Sequence, residues 1–552
     1  MDRLARHLHR HRHHVLRKTK NEKRMKNLAL LATLLFVLAA PARALDLSKL
    51  EAVPIQEGGR KKPFLVFAEE SLLGMTGKAS YKKGDQKLPA LLVVSSLWLS
   101  PIGWENEPLI LIGNKKFKES IGLDPAKKLF SYRELAASDG LRAVLENVSA
   151  LRAKNPKAQL DANEREASNI GMRLALFEGI ISSQLITLLP TGAAAWSPLG
   201  KDDPALAKLR EGFTKSDQKT FDEGVALLLS EQSREEARFQ ADPKKIAIEL
   251  TYQKLHPARW AWILYLLVGI TLLAIPGRAG YGLGWVFAVA GFLMQLVGII
   301  LRVLISGRAP VTNMYESVVW VAFGTILFAL IFEAIYRSRY FLLGAVPVAV
   351  ASLILADTQP VILDRSIHPL VPVLMDNFWL TTHVLTITLS YAAFALALGV
   401  GHIILGKSLF GSKASPALHN YLYRTLQIGV LLLAVGTILG AVWANYSWGR
   451  FWDWDPKETW ALIALLSYLF LLHGRIAGKW GGFGMAVGAV LAFQSVIMAW
   501  YGVNFILGVG LHSYGFGSGG LPGAVTFVSI EVSFVLLCVW RHYRRAAKAK
   551  TA

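Results

Sequence analysis

Residues 443–460 read WANYSWGRFWDWDPKETW, and the chain on either side of them is of a different character. Trp443, Trp448, Trp452, Trp454 and Trp460 are packed together with Tyr446 and Phe451, and among them stand Arg450, Asp453, Asp455, Lys457 and Glu458. Apolar runs flank the stretch near 424–443 and 460–474, long enough or nearly so to cross about 30 Å of hydrocarbon. The stretch therefore reads as a loop joining two membrane spans.

Working outward, the same pattern repeats from Trp260 onward. About nine apolar segments run near 260–276, 281–301, 314–335, 340–356, 379–405, 424–443, 460–474, 484–506 and 522–540. With 53% hydrophobic residues concentrated after residue 257, the chain exceeds what a soluble globular protein usually carries. The formal net charge of +21 would suit nucleic acid. Its distribution argues against that, because the excess sits in the first 24 residues, the last ten and the loops between apolar segments. Arg278, Arg337 to Arg339, Lys407 to Arg424, Arg475 to Lys479 and the tail RHYRRAAKAK fall on one side of the membrane if the spans alternate. The positive-inside rule makes that side cytoplasmic and puts residues 45–257 and the Trp-rich loop on the other. The expected fold is a polytopic α-helical membrane protein of about nine spans with an N-terminal exported α+β domain. Its divisions are a leader at 1–44, the exported domain at 45–257, the membrane domain at 258–541 and a cytoplasmic tail at 542–552.

The leader is dense in Arg and Lys and contains His7, His9, His11, His13 and His14. A metal-chelating tract is one reading and a basic n-region the other. Leu28 to Ala40 is short for a span, and Ala42-Arg43-Ala44 matches a small-x-small cleavage pattern, so a signal peptide is expected, with an uncleaved anchor as the alternative. In residues 45–257 the apolar stretches Phe64–Phe67, Leu91–Leu99 and Leu109–Ile112 read as strands, and Glu164–Leu189 shows helical spacing. Lacking any metal cluster, phosphate loop or nucleophile arrangement in its sequence, this part reads as a docking or scaffolding domain.

The Trp-rich loop has a chemistry of its own. If it is extended, Trp452 and Trp454 share one face and Asp453 and Asp455 the other, which makes an aromatic shelf. Arg450 and Lys457 would offer donors to carboxylates. Haem, a planar macrocycle with two propionates, fits such a shelf. The alternative is an interfacial aromatic belt, although a belt scatters its rings over many helix ends.

The same topology sorts the histidines. His383, near the outer end of the fifth span, and His512, in the short outer loop GVGLHSYGFG after the eighth span, lie on the side of the Trp-rich loop, where two neutral imidazoles can take the axial positions of a haem iron. His473 is thirteen residues beyond Trp460, about 20 Å deeper at the helical rise, where an ionisable residue is usually functional. His402 is read as structural, near the cytoplasmic headgroups, while His256, His368, His419 and His542 receive no role. Arg302 and Arg308 are outer-face cations that carboxylate binding would explain. The single cysteine, Cys538, leaves the chain without a disulfide, a CxxC pair or a CxxCH attachment site of its own.

In joint order, SGRAPVTNMYES, WLTTHVLTITLSYAAF, WGRFWDWDPKETW, the span ending LLHGR and GVNFILGVGLHSYG resemble the CcsA (ResC) family, the haem-delivery subunit of the system II cytochrome c synthetase, with its "WWD" signature. The resemblance covers about 258–540; LLPTGAAAWSPLG extends it more weakly into the region preceding CcsA in fused forms. It implies that His383 and His512 ligate the iron of haem b and that the Trp-rich loop, with Trp448, Trp452, Trp454, Asp455, Trp460, Arg450 and Lys457, holds it; for Arg302 and Arg308 the alternative to carboxylate binding is an ordinary outer-loop arginine. It implies further that His473 is one ligand of a transmembrane haem site. A ResB/CcsB-type membrane protein would supply the other ligand, and an apocytochrome c with a reduced CxxCH, maintained indirectly by a thiol-reducing pathway, would be the acceptor. Asp453 stands where small residues are usual in the motif, a departure that bears on propionate contacts. The location implied is the bacterial inner membrane. A haem transporter or chaperone of the CcmC or CcmF type, without ligation activity, is the alternative of different class; an unrelated secondary transporter should show internal repeats that are not seen.

Overall fold

The computed structural model describes residues 45–155, 160–191, 195–359, 362–369, 377–507 and 520–551. The expectations for the leader and for His512 lie outside these residues.

The amino-terminal part is α+β, but two of the stretches expected to be strands are helices. It opens with two units of the same plan. Strands β1 (Pro54–Glu57) and β2 (Arg60–Pro63) form an antiparallel hairpin, and helix α1 (Phe64–Thr76) follows directly. Strands β3 (Ser80–Lys83) and β4 (Gln86–Pro89) repeat the hairpin, and α2 (Ala90–Leu99) repeats the helix. In the first hairpin Gly58 and Gly59 both take positive φ, the requirement of a tight two-residue turn. Pro63 and Pro89 then stop each strand at extended dihedrals and leave the apolar residues after them free to coil. Short runs such as Phe64–Phe67 do not distinguish strand from buried helix by periodicity alone, and here tertiary packing decides for helix. Phe64, Phe67, Leu97 and Trp98 are buried together in this domain's own core. The third stretch, Leu109–Ile112, does fall on a strand, β5 (Pro108–Leu111), paired with β6 (Leu129–Ser131). The helical spacing expected over 164–189 is realised only as far as Ile181, in α3 (Ala162–Ile181), started by a capping box of Asp161 and Glu164; Thr187–Leu189 is instead a strand, paired with Ser197–Pro198.

Among the described residues nine helices are long and apolar enough to cross a membrane: Pro243–Ala274, Gly277–Ser306, Met314–Tyr336, Tyr340–Thr358, Phe378–Leu409, Pro416–Trp448, Pro456–Ile476, Gly482–Leu507 and Leu521–Lys548. The protein is thus a multi-pass membrane protein with nine candidate spans. The sixth span continues further than its apolar run, so Trp443 to Trp448 are helical and the loop proper is 449–455. The fifth span is the axis of the bundle, packed by the third, fourth, sixth and eighth. Glycine permits the closest of these approaches. A Cβ on Gly436 of the sixth span would lie 2.9 Å from the Ile387 backbone, and one on Gly440 would lie 2.5 Å from the His383 ring.

Candidate functional site

The third, fifth, sixth, seventh and eighth spans leave a cleft of about 1600 Å³, part of it open to solvent, at the end of the bundle where the Trp-rich loop and Arg308 lie. His383 is on its wall. Its Nδ1–H donates to the Gly436 carbonyl at 2.8 Å, and the ring lies parallel to Trp443, 6.3 Å between centroids. A neutral imidazole held in this tautomer carries its metal-binding lone pair on Nε2. Trp443 itself is buried and meets Trp448 edge-on.

The Trp-rich loop does not form the expected shelf. Trp454 takes φ 58°, so the extended alternation breaks there, and the rings of Trp452 and Trp454 stand perpendicular at 89°. Trp452 lines the cleft together with Phe451, whereas Trp454 is 67% exposed and does not. Asp455 is buried at the start of the seventh span, where its carboxylate accepts from the Lys457 backbone N–H in a capping box with Glu458. It caps this helix and is not among the residues that line the cleft. Trp448 and Trp460 are half-buried but off the cleft wall. Arg450 is exposed and paired with Asp453 at 2.7 Å, so the residue that departs from the family motif occupies the guanidinium expected to reach a carboxylate.

Two cations remain on the wall. Lys457 lines the cleft and donates Nζ to the Asn504 side-chain oxygen at 3.2 Å. Arg308 donates to the His368 carbonyl at 2.6 Å, and its Nε–H has no hydrogen-bond partner among the described residues. Arg302, by contrast, is sealed away from the cleft. Its Nε meets Glu316 Oε1 at 2.6 Å, its other nitrogens donate to the Arg365 and Ser366 carbonyls, and its guanidinium covers the Tyr315 ring. The carboxylate that explains this cation is the chain's own Glu316.

The other histidines separate cleanly. His473 is exposed on the flank of the bundle, its Nδ1 hydrogen-bonded to the Leu469 carbonyl one turn earlier, and it takes no part in the cleft. His402 lies 3.0 Å from Glu531 and against the Phe534 ring. Glu531 belongs to the ninth candidate span, so His402 is paired to a carboxylate within the helix bundle.

Sequence reasoning missed several members of the wall. Met498–Leu507 is π-helical and brings Trp500 and Asn504 to the cleft, with Trp500 Nε1 donating to Ser317 at 2.9 Å. Asp364, from the segment 362–369, joins them. The available signal was that Asn504 belongs to GVNFILGVG and Trp500 stands just before it. Among the described residues the wall is largely apolar and carries one oriented imidazole, the cations Arg308 and Lys457 and the carboxylates Asp364 and Glu458, a lining that can hold a large flat ligand with polar groups at its edge.

Residues 311–512 match a family described as cytochrome C assembly protein. Protein NrfI of Wolinella succinogenes is 29% identical over 504 residues, which are 83% of this chain and 53% of that protein, so the chain spans about half the length of that relative. The cytochrome c biogenesis protein CcsA of Synechococcus sp. (strain CC9605) is 34% identical over 290 residues, 46% of this chain and 93% of its own length. The protein of the same name in Guillardia theta is 37% identical over 239 residues, 38% of this chain and 78% of its own.

Proposed function

The chain belongs to the CcsA family of cytochrome c biogenesis proteins, and on that premise we propose that its cleft holds haem b as substrate and presents it for covalent attachment to an apocytochrome c. The observation that carries this reading is His383, fixed by the Gly436 carbonyl and facing the same cleft as Trp452, Lys457 and Arg308. His383 takes one axial position of the iron and His512 the other. Lys457 and Arg308 supply donors for the propionates, and Trp452 and Phe451 cover the ring. Of the residues expected from sequence, Trp454, Arg450 and Arg302 are left out of these contacts because each is exposed, paired or sealed elsewhere.

The protein's contribution is positioning. Each thioether forms when an apocytochrome thiol adds across a haem vinyl group, sulfur to one carbon and hydrogen to the other, so no oxidant or reductant is consumed in the addition. The cleft orients the vinyl edge. His473, turned outward from the bundle, supplies one ligand of a second haem site that a ResB/CcsB-type partner completes; its exposure supports that assignment. Lys and Arg placement in the loops supports an inner-membrane orientation with the cleft on the periplasmic side.

The test is the haem content and visible spectrum of the detergent-purified chain, beside His383→Ala, His512→Ala and His473→Ala, with and without a ResB-type partner. Bis-imidazole haem lost in the first two variants, and in the third only when the partner is present, is the expected result. Haem retained in every variant overturns the ligand assignment. Haem bound normally, but no holocytochrome formed with partner and reduced apocytochrome present, would favour the CcmC/CcmF-type reading.

A further inference from the structure

The amino-terminal domain has no part in the reading above, yet it reaches the wall of the cleft. The segment 362–369 forms part of that wall, since Asp364 lines the cleft and the His368 carbonyl accepts from Arg308. From the membrane side the segment is held by Arg302, which donates to the Arg365 and Ser366 carbonyls, and by Asn313, which donates to the Asp364 and Ser366 carbonyls. From the other side it is held by the domain. Arg365 donates to Glu69 of α1 at 3.0 Å, and both side chains are about one-fifth exposed, so solvent screens this pair less than a surface bridge. Glu69 also accepts from Gln253, on the helix that continues into the first span. The domain's carboxylate is therefore tied through Arg365 to the cleft wall and through Gln253 to the helix that leads into the first span.

We propose that the domain is a working part of the cleft: Glu69, acting through Arg365, positions the wall segment 362–369 and with it the Asp364 and Arg308 side chains that a ligand meets. Glu69 and Arg365 are positioning residues, because neither lines the cleft. By linkage, a ligand that needs the wall in this place tightens the hold of the domain, and a polypeptide that pulls on α1 loosens the ligand. The proposal rests on the reading of the cleft as a haem site, so its test includes a measurement that needs no haem.

Four full-length proteins decide it: wild type, Glu69→Arg, Arg365→Glu and the double exchange. Each single reversal places like charges together and is expected to lower retained haem about tenfold, within the range usual for coupled sites. The double exchange restores the pair with opposite polarity and is expected to recover haem to within about twofold of wild type. Backbone hydrogen exchange of 362–369 reads the wall directly; it should quicken in both single variants and return in the double. A wild type without haem would defeat the haem reading alone, and the exchange rates would still decide the latch. Unchanged exchange in the single variants, or no recovery in the double exchange, overturns it.

Discussion

Arg302 and Arg308 lie six positions apart and end in opposite surroundings. Around Arg302 every partner comes from the chain itself: Glu316, two carbonyls and an aromatic face, with the Glu316 carboxylate further held by the Thr312 backbone and hydroxyl. Around Arg308 the described residues supply one carbonyl and leave the Nε–H without a partner on the wall of a cleft. A buried charge must be paired, so the difference distinguishes a polar cluster built to close the structure from one built to receive something. Sign and position on the membrane, which is all the sequence offers for these two residues, do not separate them.

The strongest break of this comparison is made on the carboxylate. Glu316→Ala leaves the buried Arg302 uncompensated and should destabilise the protein by about 3–5 kcal/mol, read as a lowered Tm of the detergent-solubilised chain. Arg308→Ala removes one partly solvated hydrogen bond and should cost about 1 kcal/mol or less, while haem retention falls. Equal losses of stability in the two variants would show that both arginines are structural and that the cleft cation is Lys457 alone.

A second contrast concerns glycines. Gly440 gives its side-chain space to the His383 ring, while a Cβ on Gly406 meets nothing within 4 Å. Gly440→Val should overpack the imidazole by about 1–3 kcal/mol and displace the haem spectrum, and Gly406→Ala should leave both unchanged. A normal spectrum in Gly440→Val would mean that the ring is not held against Gly440.

Much of this was legible beforehand, for identifiable physical reasons. Apolar runs of span length are dictated by hydrocarbon thickness, so the nine candidate spans could be read from composition alone. His383 could be placed because depth along a helix follows from counting. The details that depended on non-local contacts could not. Phe64–Phe67 and Leu91–Leu99 are compatible with strand or helix until the domain core chooses. The positive φ of Trp454 breaks a pattern that period-two reasoning assumes. Glu316 and Glu531 lie inside apolar runs, and only packing reveals that their partners are Arg302 and His402. The third contrast follows from that failure: Trp452→Ala should weaken haem retention up to about tenfold through lost ring contact, and Trp454→Ala less than about twofold. Equal effects would restore the shelf.

The smallest expected effect sharpens the comparison through pH. On the Arg308 side, the wall segment contains a contact that titrates, for His368 Nε2 lies 2.8 Å from Asp364 Oδ2, and the hydrogen bond to Asp364 holds the imidazole above its ordinary value. Asp364 is held below the usual carboxylate range, the His368 and Ser366 hydrogen bonds outweighing the opposite pull of burial. A raised imidazole contributes fully below its unfolded pKa of about 6.5 and loses its contribution as pH rises through the folded value. A lowered carboxylate contributes above its unfolded value of about 3.9 and loses that as pH falls through the folded one. The wall should therefore be held best between about pH 4 and 6.5 and loosen above it. Hydrogen exchange of 362–369 should quicken on the alkaline side in wild type and lose that dependence in His368→Gln. The Arg302–Glu316 pair has no histidine among its described hydrogen-bond partners, so exchange at the start of the third span, beside Glu316, should show no such change over the same interval. A pH dependence that survives in His368→Gln would place the titrating group elsewhere, with Glu70 and Lys62 of the amino-terminal domain, which act electrostatically on His368, the next to be replaced.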